Sequence, residues 1–170
     1  MDITELILTQ HHEQRRTFAL LDELADDPVG LAAVWERLTI LLEVHAEAEE
    51  KFFYPRLLEV GTGGGDAESA ASETEDAIKD HNEIRDAVVE AGKHEVGSDG
   101  WWKAVEAARE ANDDHMAEEE RQDLPDFRLH ADLETRHAIA LEFLRYEAQH
   151  AQGITPENHD PEAWVAEHSS

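Results

Sequence analysis

Apolar side chains recur at three- and four-residue intervals along most of the chain, which is the pattern of α-helices with one buried face. Four such segments are evident, at about 3–25, 29–60, 73–94 and 101–123. The first follows an Asp-x-x-Glu pattern that is typical of a helix N-terminus. The second contains Pro55, which we expect to kink the helix or end its regular part, because proline has no backbone N–H to donate.

Glycine-rich segments separate these helices. Residues 61–72 predict a flexible loop, and residues 97–100 predict a break. A fifth helical pattern runs from about 127 to 150, and the last twenty residues, 151–170, predict a tail with room for one short turn at 163–167. Because no segment sustains the alternation of a strand, the chain is predicted to be all-α.

The chain repeats itself after seventy residues. The related pairs are His11 and His81, Glu13 and Glu83, Arg15 and Arg85, His45 and His115, Glu49 and Glu119, Glu50 and Glu120, and Pro55 and Pro125. Each half is therefore a helical hairpin that offers a His from its first helix and a His and a Glu from its second. The first-helix position is His11, which lies on the apolar stripe, whereas His12 lies outside it.

We predict that the two hairpins fold as one up-down-up-down four-helix bundle within residues 1–150. The bundle carries an additional C-terminal helical extension and is followed by the tail at 151–170. This topology can bring the six repeated His and Glu side chains to one level of the bundle. The predicted result is a single buried site with ligands from all four helices.

Composition narrows the range of partners. The chain has 41 acidic and 14 basic residues, a net charge of -27 with His neutral. Such a surface repels nucleic acid and anionic membranes, so neither is an expected partner. Cysteine is absent, which excludes disulfides and thiolate metal sites. The sequence has no basic N-terminal segment and no apolar run of ~18–20 residues, so we expect a cytoplasmic protein. We further expect it to be a monomer or a weak homodimer.

The repeated side chains suit a metal site. Four imidazoles and two carboxylates without sulfur favour a metal such as iron or manganese. A structural zinc ion would leave two of the ligands unused, and calcium prefers oxygen donors. Two ions bridged by Glu49 and Glu119, each held by two His, use every ligand. Open coordination positions would then remain for O2, hydrogen peroxide or nitric oxide.

This ligand pattern resembles that of the hemerythrin-like, HHE cation-binding family. The resemblance covers about residues 5–130 and rests on His11, His45-x-x-x-Glu49, His81 and His115-x-x-x-Glu119. It implies a four-helix bundle around a non-haem di-iron centre that is bridged by carboxylates and by an oxo or hydroxo group. On that pattern the iron ligands are His11, His45, Glu49, His81, His115 and Glu119.

Two positions depart from the oxygen-carrying members of that family. Those members have a second His one turn after the third-helix His, where this chain has Arg85, and their fourth-helix acid follows its His by five residues rather than four. The chain is more similar to the stand-alone actinobacterial hemerythrin-like proteins, which implies peroxide or nitric-oxide chemistry. Arg85 is a candidate to donate hydrogen bonds to a ligand carboxylate or to bound peroxide, with an ordinary salt bridge as the alternative.

Tyr54 breaks the symmetry of the repeat, because its counterpart is Leu124. An ideal helix would point Tyr54 away from His45, so only a distorted backbone could turn it inward, and the following Pro55 favours such a distortion. A phenolate is a good ligand for ferric iron. Tyr54 is therefore either a further iron ligand or an aromatic side chain packed at a kink.

Other acidic and His residues are assigned outside the ligand set. Glu50 and Glu120 are expected to face solvent or to support the ligands from outside. The motifs expected on the surface are Glu134-x-x-His137 and Glu147-x-x-His150. Both lie on one predicted helix, so they cannot face each other across a di-iron site of the ferritin type.

Three functions remain at this stage. The first is an oxidoreductase that consumes hydrogen peroxide at a di-iron centre, with nitric oxide as a conceivable co-substrate. The second is a protein that binds or senses O2 or iron without turnover. The third is a bundle stabilised by structural metal ions, which would leave the open coordination positions unexplained.

Overall fold

The computed structural model describes residues 1–65 and 67–169. Those residues form helices, turns and loops without a strand, which confirms the all-α fold class. The helices are α1 (Ile3–Glu23), α2 (Pro28–Ala48), α3 (Tyr54–Val60), α4 (Ala70–Ala91), α5 (Asp99–Arg121), α6 (Asp123–His130), α7 (Leu133–Gln149) and α8 (Pro161–His168). A π-helical turn at Glu49–Phe53 joins α2 to α3.

Most of these helices have a residue with a short polar side chain at the N-cap position. The Asp2 carboxylate accepts a hydrogen bond from the Thr4 N–H, and the Asp27 carboxylate accepts one from the Gly30 N–H, both at 3.0 Å. Equivalent caps for α4, α5, α7 and α8 are made by Ser69, Ser98, Asp132 and Asp160. Each cap satisfies a backbone N–H that has no partner inside the helix, and so defines where the helix begins.

The bundle consists of α1, α2, α4 and α5, as predicted, with further helices packed around it. Helices α4 and α5 share the most extensive helix–helix contact, while α7 packs against α1 and α2, and α8 packs against α4. No helix in the described part of the chain is both long enough and apolar enough to cross a membrane.

The core consists of two apolar clusters with a polar layer between them. Members of the first cluster include Ile3, Ile7, Phe53, Tyr54, Ile78, Phe127 and Phe143. Members of the second include Phe18, Leu21, Leu31, Trp35, Ile84 and Trp101. Along α1, the buried His11 and Gln14 lie between the residues of the two clusters. Helix α1 thus carries its polar residues into the middle of an otherwise apolar core.

The predictions for two C-terminal segments were wrong in detail. The continuous helix expected at 127–150 is divided into α6 and α7, because Ala131 is extended and Asp132 caps a new helix. The short turn expected at 163–167 is the eight-residue helix α8, which buries Trp164 and Val165. The region after residue 150 is therefore partly packed onto the bundle rather than a simple tail.

The expected loop at 61–72 is shorter than predicted, because α4 already begins at Ala70. Its Asp66 lies outside the described residues, as does Ser170 of the expected tail. The described part of the loop is anchored to α6, since the Asp126 carboxylate accepts hydrogen bonds from the backbone N–H groups of Thr62 and Gly63 at 2.8 and 3.0 Å.

Candidate metal centre

The six side chains singled out by the repeat meet in the polar layer. Helix α1 supplies His11, α2 supplies His45, the π turn supplies Glu49, α4 supplies His81, and α5 supplies His115 and Glu119. All six are buried, with exposed fractions between 0 and 3%. Residues four apart lie one turn apart on a helix, which is why each His of the second and fourth bundle helices shares a face with its Glu.

Glu49 lies between two pairs of His. Its Oε1 is 2.9 Å from the Nε2 of His45. Its Oε2 is 3.3 Å from the Nε2 of His81 and 4.0 Å from that of His115. Two groups with metal-holding geometry therefore share this one residue: His11, His45 and Glu49 form the first, and Glu49, His81 and His115 form the second.

Glu119 approaches the same centre from α5. Its Oε2 is 3.1 Å from the Nε2 of His11, while its Oε1 accepts a hydrogen bond from the Tyr54 hydroxyl at 3.3 Å. His11 belongs to the first metal-holding group, and the Tyr54 ring is 5.8 Å from the ring of His81 in the second. Glu119 thus contacts the first group directly and is linked to the surroundings of the second through Tyr54.

Several inward-facing atoms of this centre are buried and make no hydrogen bond of regular geometry within the described residues, although His and Glu atoms lie 2.9 to 3.3 Å apart there. They are the Nε2 atoms of His11 and His45, both carboxylate oxygens of Glu49, and Oε2 of Glu119. Native proteins pair nearly all buried polar atoms, because an unpaired one costs about 1–3 kcal/mol. Imidazole nitrogens and carboxylate oxygens are metal ligands, so these residues fit metal ions placed among them.

The outer nitrogen of two of these His is held by a carboxylate from the opposite hairpin. Nδ1 of His11 donates to Glu120 at 2.9 Å, and Nδ1 of His81 donates to Glu50 at 2.8 Å. Each acceptor is itself held by an arginine at 2.8 Å: Glu120 by Arg15, and Glu50 by Arg85. The two His–Glu–Arg sets occupy matching positions in the seventy-residue repeat. Because Nδ1 of each His is held by its Glu, Nε2 faces the centre.

The other two His have different outer neighbours. Nδ1 of His45 donates to Oε1 of Gln10 at 2.6 Å, and Gln10 in turn donates to Glu147 at 2.8 Å. Nδ1 of His115 faces Asp80, whose Oδ2 is 3.8 Å away. Gln10 and Asp80 are seventy residues apart, so they occupy matching places in the two hairpins.

The carboxylates control the charge of the metal-free centre. Burial opposes a charge on His11 and His81, but the surrounding Glu residues outweigh it and raise the pKa of each to about 9. Burial likewise opposes the charge on Glu49, yet His45 and His81 hold its pKa well below the ordinary range. Metal ions would therefore have to displace protons from the two His.

The family model of the hemerythrin HHE cation-binding domain matches residues 2–127. The chain belongs to this family. The match covers all six side chains of the centre and the four bundle helices, but it does not distinguish a subgroup within the family. No curated protein and no solved structure matches the chain. The HHE domain ends within α6, so α7 and α8 lie beyond it.

Tyr54 faces the interior of the HHE domain because of the π turn. A π turn inserts one residue into a helix and so shifts every following side chain around the axis by about 100°. Tyr54 is fully buried, and burial together with Glu119 and Glu49 raises its pKa well above 10. The backbone distortion that an inward-facing Tyr54 requires is therefore present. Iron binding by its phenol oxygen stays a prediction.

The remaining candidates are placed as follows. Arg85 donates to Glu50 rather than to Glu49 or Glu119, so it reaches the centre through His81. His12 is exposed, as are Glu134 and His137. Glu147 was expected on the surface but is half-buried against Gln10, because α7 packs against α1 and α2.

Three residues near the centre were missed by sequence reasoning. Gln10 and Asp80 could have been found from the repeat, since each precedes the first-helix His of its hairpin. His159 could not, because it follows the HHE domain and has no counterpart in the repeat. Its Nε2 is 3.4 Å from Glu50, and Asn82 holds its backbone through hydrogen bonds of 2.7 and 3.1 Å.

Proposed function

We propose that this HHE domain holds two iron ions and uses them to decompose hydrogen peroxide. The observation that carries the proposal is the position of Glu49, whose two oxygens face different pairs of His and make no hydrogen bond of regular geometry within the described residues. A carboxylate in that position is suited to bridge two ions. His11 and His45 would hold one ion and His81 and His115 the other, with Glu119 as a second bridging carboxylate.

Bound iron would supply a Lewis acid and a reversible one-electron couple for peroxide. The chain supplies the environment. Its six ligands are almost completely buried, so only small molecules can reach the ions, and bulk water is kept out. Arg15 and Arg85 hold Glu120 and Glu50, which in turn fix the orientation of His11 and His81.

Two features favour peroxide over reversible O2 carriage. Arg85 occupies the place of a further His ligand found in oxygen carriers, so fewer imidazoles are available to the second ion. Tyr54 places a phenol beside Glu119, and its oxygen would stabilise ferric rather than ferrous iron once deprotonated. Reversible O2 binding needs an accessible ferrous state, whereas peroxide decomposition can begin from either oxidation state.

The test is O2 release from peroxide by iron-loaded protein. Apo-protein is loaded with Fe2+ without air, freed of excess metal, and analysed for iron and protein. Hydrogen peroxide is then added while an electrode records O2. We expect two iron ions per chain and one O2 for every two peroxide molecules consumed, with the rest of the oxygen released as water.

Two variants sharpen this test. Glu49→Ala should lose at least one iron ion and nearly all O2 release, because the shared carboxylate is gone. His12→Ala, which changes an exposed neighbour of His11, should match the unmodified protein. A protein that holds two iron ions, releases no more O2 than free iron and shows a reversible O2 spectrum would be a binding protein without turnover.

A further inference from the structure

A small cavity lies between α4 and α5, on the side of the metal centre occupied by His115 and Glu119. Its volume is about 10 Å³, which is close to the space of a single water molecule or metal ion. The lining residues are Glu73, Asp76, Ala77, Asp80, His115, Glu118, Glu119, Gln122 and Asp123. Six of these nine carry a carboxylate, and none is a lysine or an arginine.

Helical spacing explains how these carboxylates meet. Those of α4 fall at positions 73, 76 and 80, and those of α5 and the start of α6 fall at 118, 119 and 123. Steps of three, four and seven residues place the three carboxylates of α4 on one helical face, and a step of four relates Glu119 to Asp123. The two acidic faces are opposed because α4 and α5 pack along their length.

The exposure of these side chains changes in steps from the surface to the centre. Asp76 and Glu118 are exposed, Asp80 is half-buried, and Glu73 and Asp123 are buried, with exposed fractions of 2 and 3%. Beyond them lie Glu119 and His115 of the metal centre. The same small cavity is therefore lined by exposed carboxylates, by buried ones and by two of the expected ligands, and we call these carboxylates the acidic path.

A buried carboxylate oxygen in this path has no partner. Oε1 of Glu73 accepts a hydrogen bond from the Gly64 N–H, but its Oε2 is buried and unpaired within the described part of the chain. Oε2 of Glu119, at the inner end, makes no hydrogen bond of regular geometry in the described part of the chain and lies 3.1 Å from Nε2 of His11. Burying charged oxygens without a partner is costly unless a cation or a proton joins them.

The other hairpin shows that the bundle does not require this acidity. Shifted by seventy residues, the positions of Glu73, Asp76, Asp80, Glu118 and Asp123 are occupied by Ile3, Leu6, Gln10, Ala48 and Phe53. The fold accepts apolar or neutral side chains at all five places. The acidic path is therefore a property of one hairpin and not of the repeated architecture.

We propose that this acidic path is the entry site through which a divalent cation, Fe2+, reaches the metal centre. The inference rests on the proposed metal-binding function. Asp76 and Glu118 attract the ion at the surface, Glu73 and Asp123 hold it after it sheds water, and Glu119 and His115 receive it. Carboxylate oxygens are suitable transient ligands for a hydrated divalent ion, and clefts lined by one sign of charge speed the arrival of the opposite charge.

The test measures the rate of metal uptake separately from the amount bound. Apo-protein is mixed with Fe2+ without air in a stopped-flow instrument, and free Fe2+ is followed with a ferrous chelator at fixed intervals. In the double variant Asp76→Asn/Glu118→Gln, uptake should be at least about tenfold slower, with the final iron content unchanged. The difference should shrink in 0.5 M salt, because exposed charges are screened there.

A control variant separates a local path from the effect of net charge. Glu36→Gln/Glu110→Gln removes two exposed carboxylates elsewhere on the bundle and changes the charge equally. Its uptake should stay within about twofold of the unmodified rate. The inner variant Glu73→Gln should also slow uptake, because its amide keeps an acceptor for the Gly64 N–H but loses the charge.

The outcomes are distinguishable. If the unmodified protein binds no iron at equilibrium, the proposed metal centre itself is wrong. If it binds iron and Asp76→Asn/Glu118→Gln takes up Fe2+ as quickly as the control variant, the metal centre is retained but the entry site is wrong. Uptake that is slow only in Asp76→Asn/Glu118→Gln and in Glu73→Gln, with full final iron content, supports the path.

Discussion

Tyr54 shows how one side chain can make two otherwise matching halves unequal. Its counterpart in the repeat is Leu124, which is also buried but has no oxygen to offer. The Tyr54 hydroxyl already contacts Glu119, and its ring lies beside His81. If the two proposed ions differ in their chemistry, the phenol is the residue that we expect to distinguish them.

Replacing Tyr54 by Phe tests whether the phenol binds iron. A ferric phenolate gives an intense visible absorption band, so we expect the iron-loaded, oxidised protein to show this band and Tyr54→Phe to lose it. Iron content should fall little, because six other ligands remain. The only other tyrosine is Tyr146 on α7, and Tyr146→Phe is the matched control. A visible spectrum that is the same in both variants would remove Tyr54 from the ligand set.

Among the helical elements, the π turn contributes most to the asymmetry of the candidate centre. It begins at Glu49, the residue shared by both metal-holding groups, and ends just before Tyr54. Such turns often occur at functional sites, because the extra residue widens the helix and shifts the side chains that follow. Here it brings a carboxylate and a phenol to the same interior.

Deleting Lys51 tests this role of the π turn. Lys51 is an exposed residue within the turn, and its removal should restore regular α-helical spacing. Tyr54 would then turn away from Glu119, and we expect loss of the phenolate band and lower iron content, measured by absorption and metal analysis. Lys51→Ala removes the same side chain but keeps the chain length, so it should behave like the unmodified protein. Equal spectra for the deletion and the substitution would contradict this role.

The clustering of the six His and Glu side chains could be predicted because helical periodicity and the seventy-residue repeat both act along the chain. The hydrogen bonds that His81 donates to Glu50 and that His11 donates to Glu120 could not be predicted, since they depend on which hairpin faces which. The π turn has no sequence signature of its own beyond the proline that follows it. The docking of α8 was missed because a short helix with little amphipathic pattern is stabilised by what it packs against.

The part of the chain that follows the matched HHE domain also packs onto the bundle. Helix α8 follows that domain, yet it packs on α4, the helix that carries His81. Trp164 is only 7% exposed and belongs to the first apolar cluster, together with Ile78 of α4 and Phe143 of α7. The C-terminal segment therefore shares a core with the bundle that holds the metal centre.

Trp164→Ala should reveal whether this shared core contributes to global stability. Removing a buried indole leaves a cavity, and we expect the free energy of unfolding of the apo-protein to fall by about 3 kcal/mol or more in urea denaturation. Leu129→Ala is the control, because that side chain is 79% exposed and its truncation should cost less than about 0.5 kcal/mol. An unchanged unfolding midpoint for Trp164→Ala would mean that α8 opens independently and that the cooperative unit ends before it. A large loss would mean that the C-terminal extension folds with the bundle and supports the helix that carries His81.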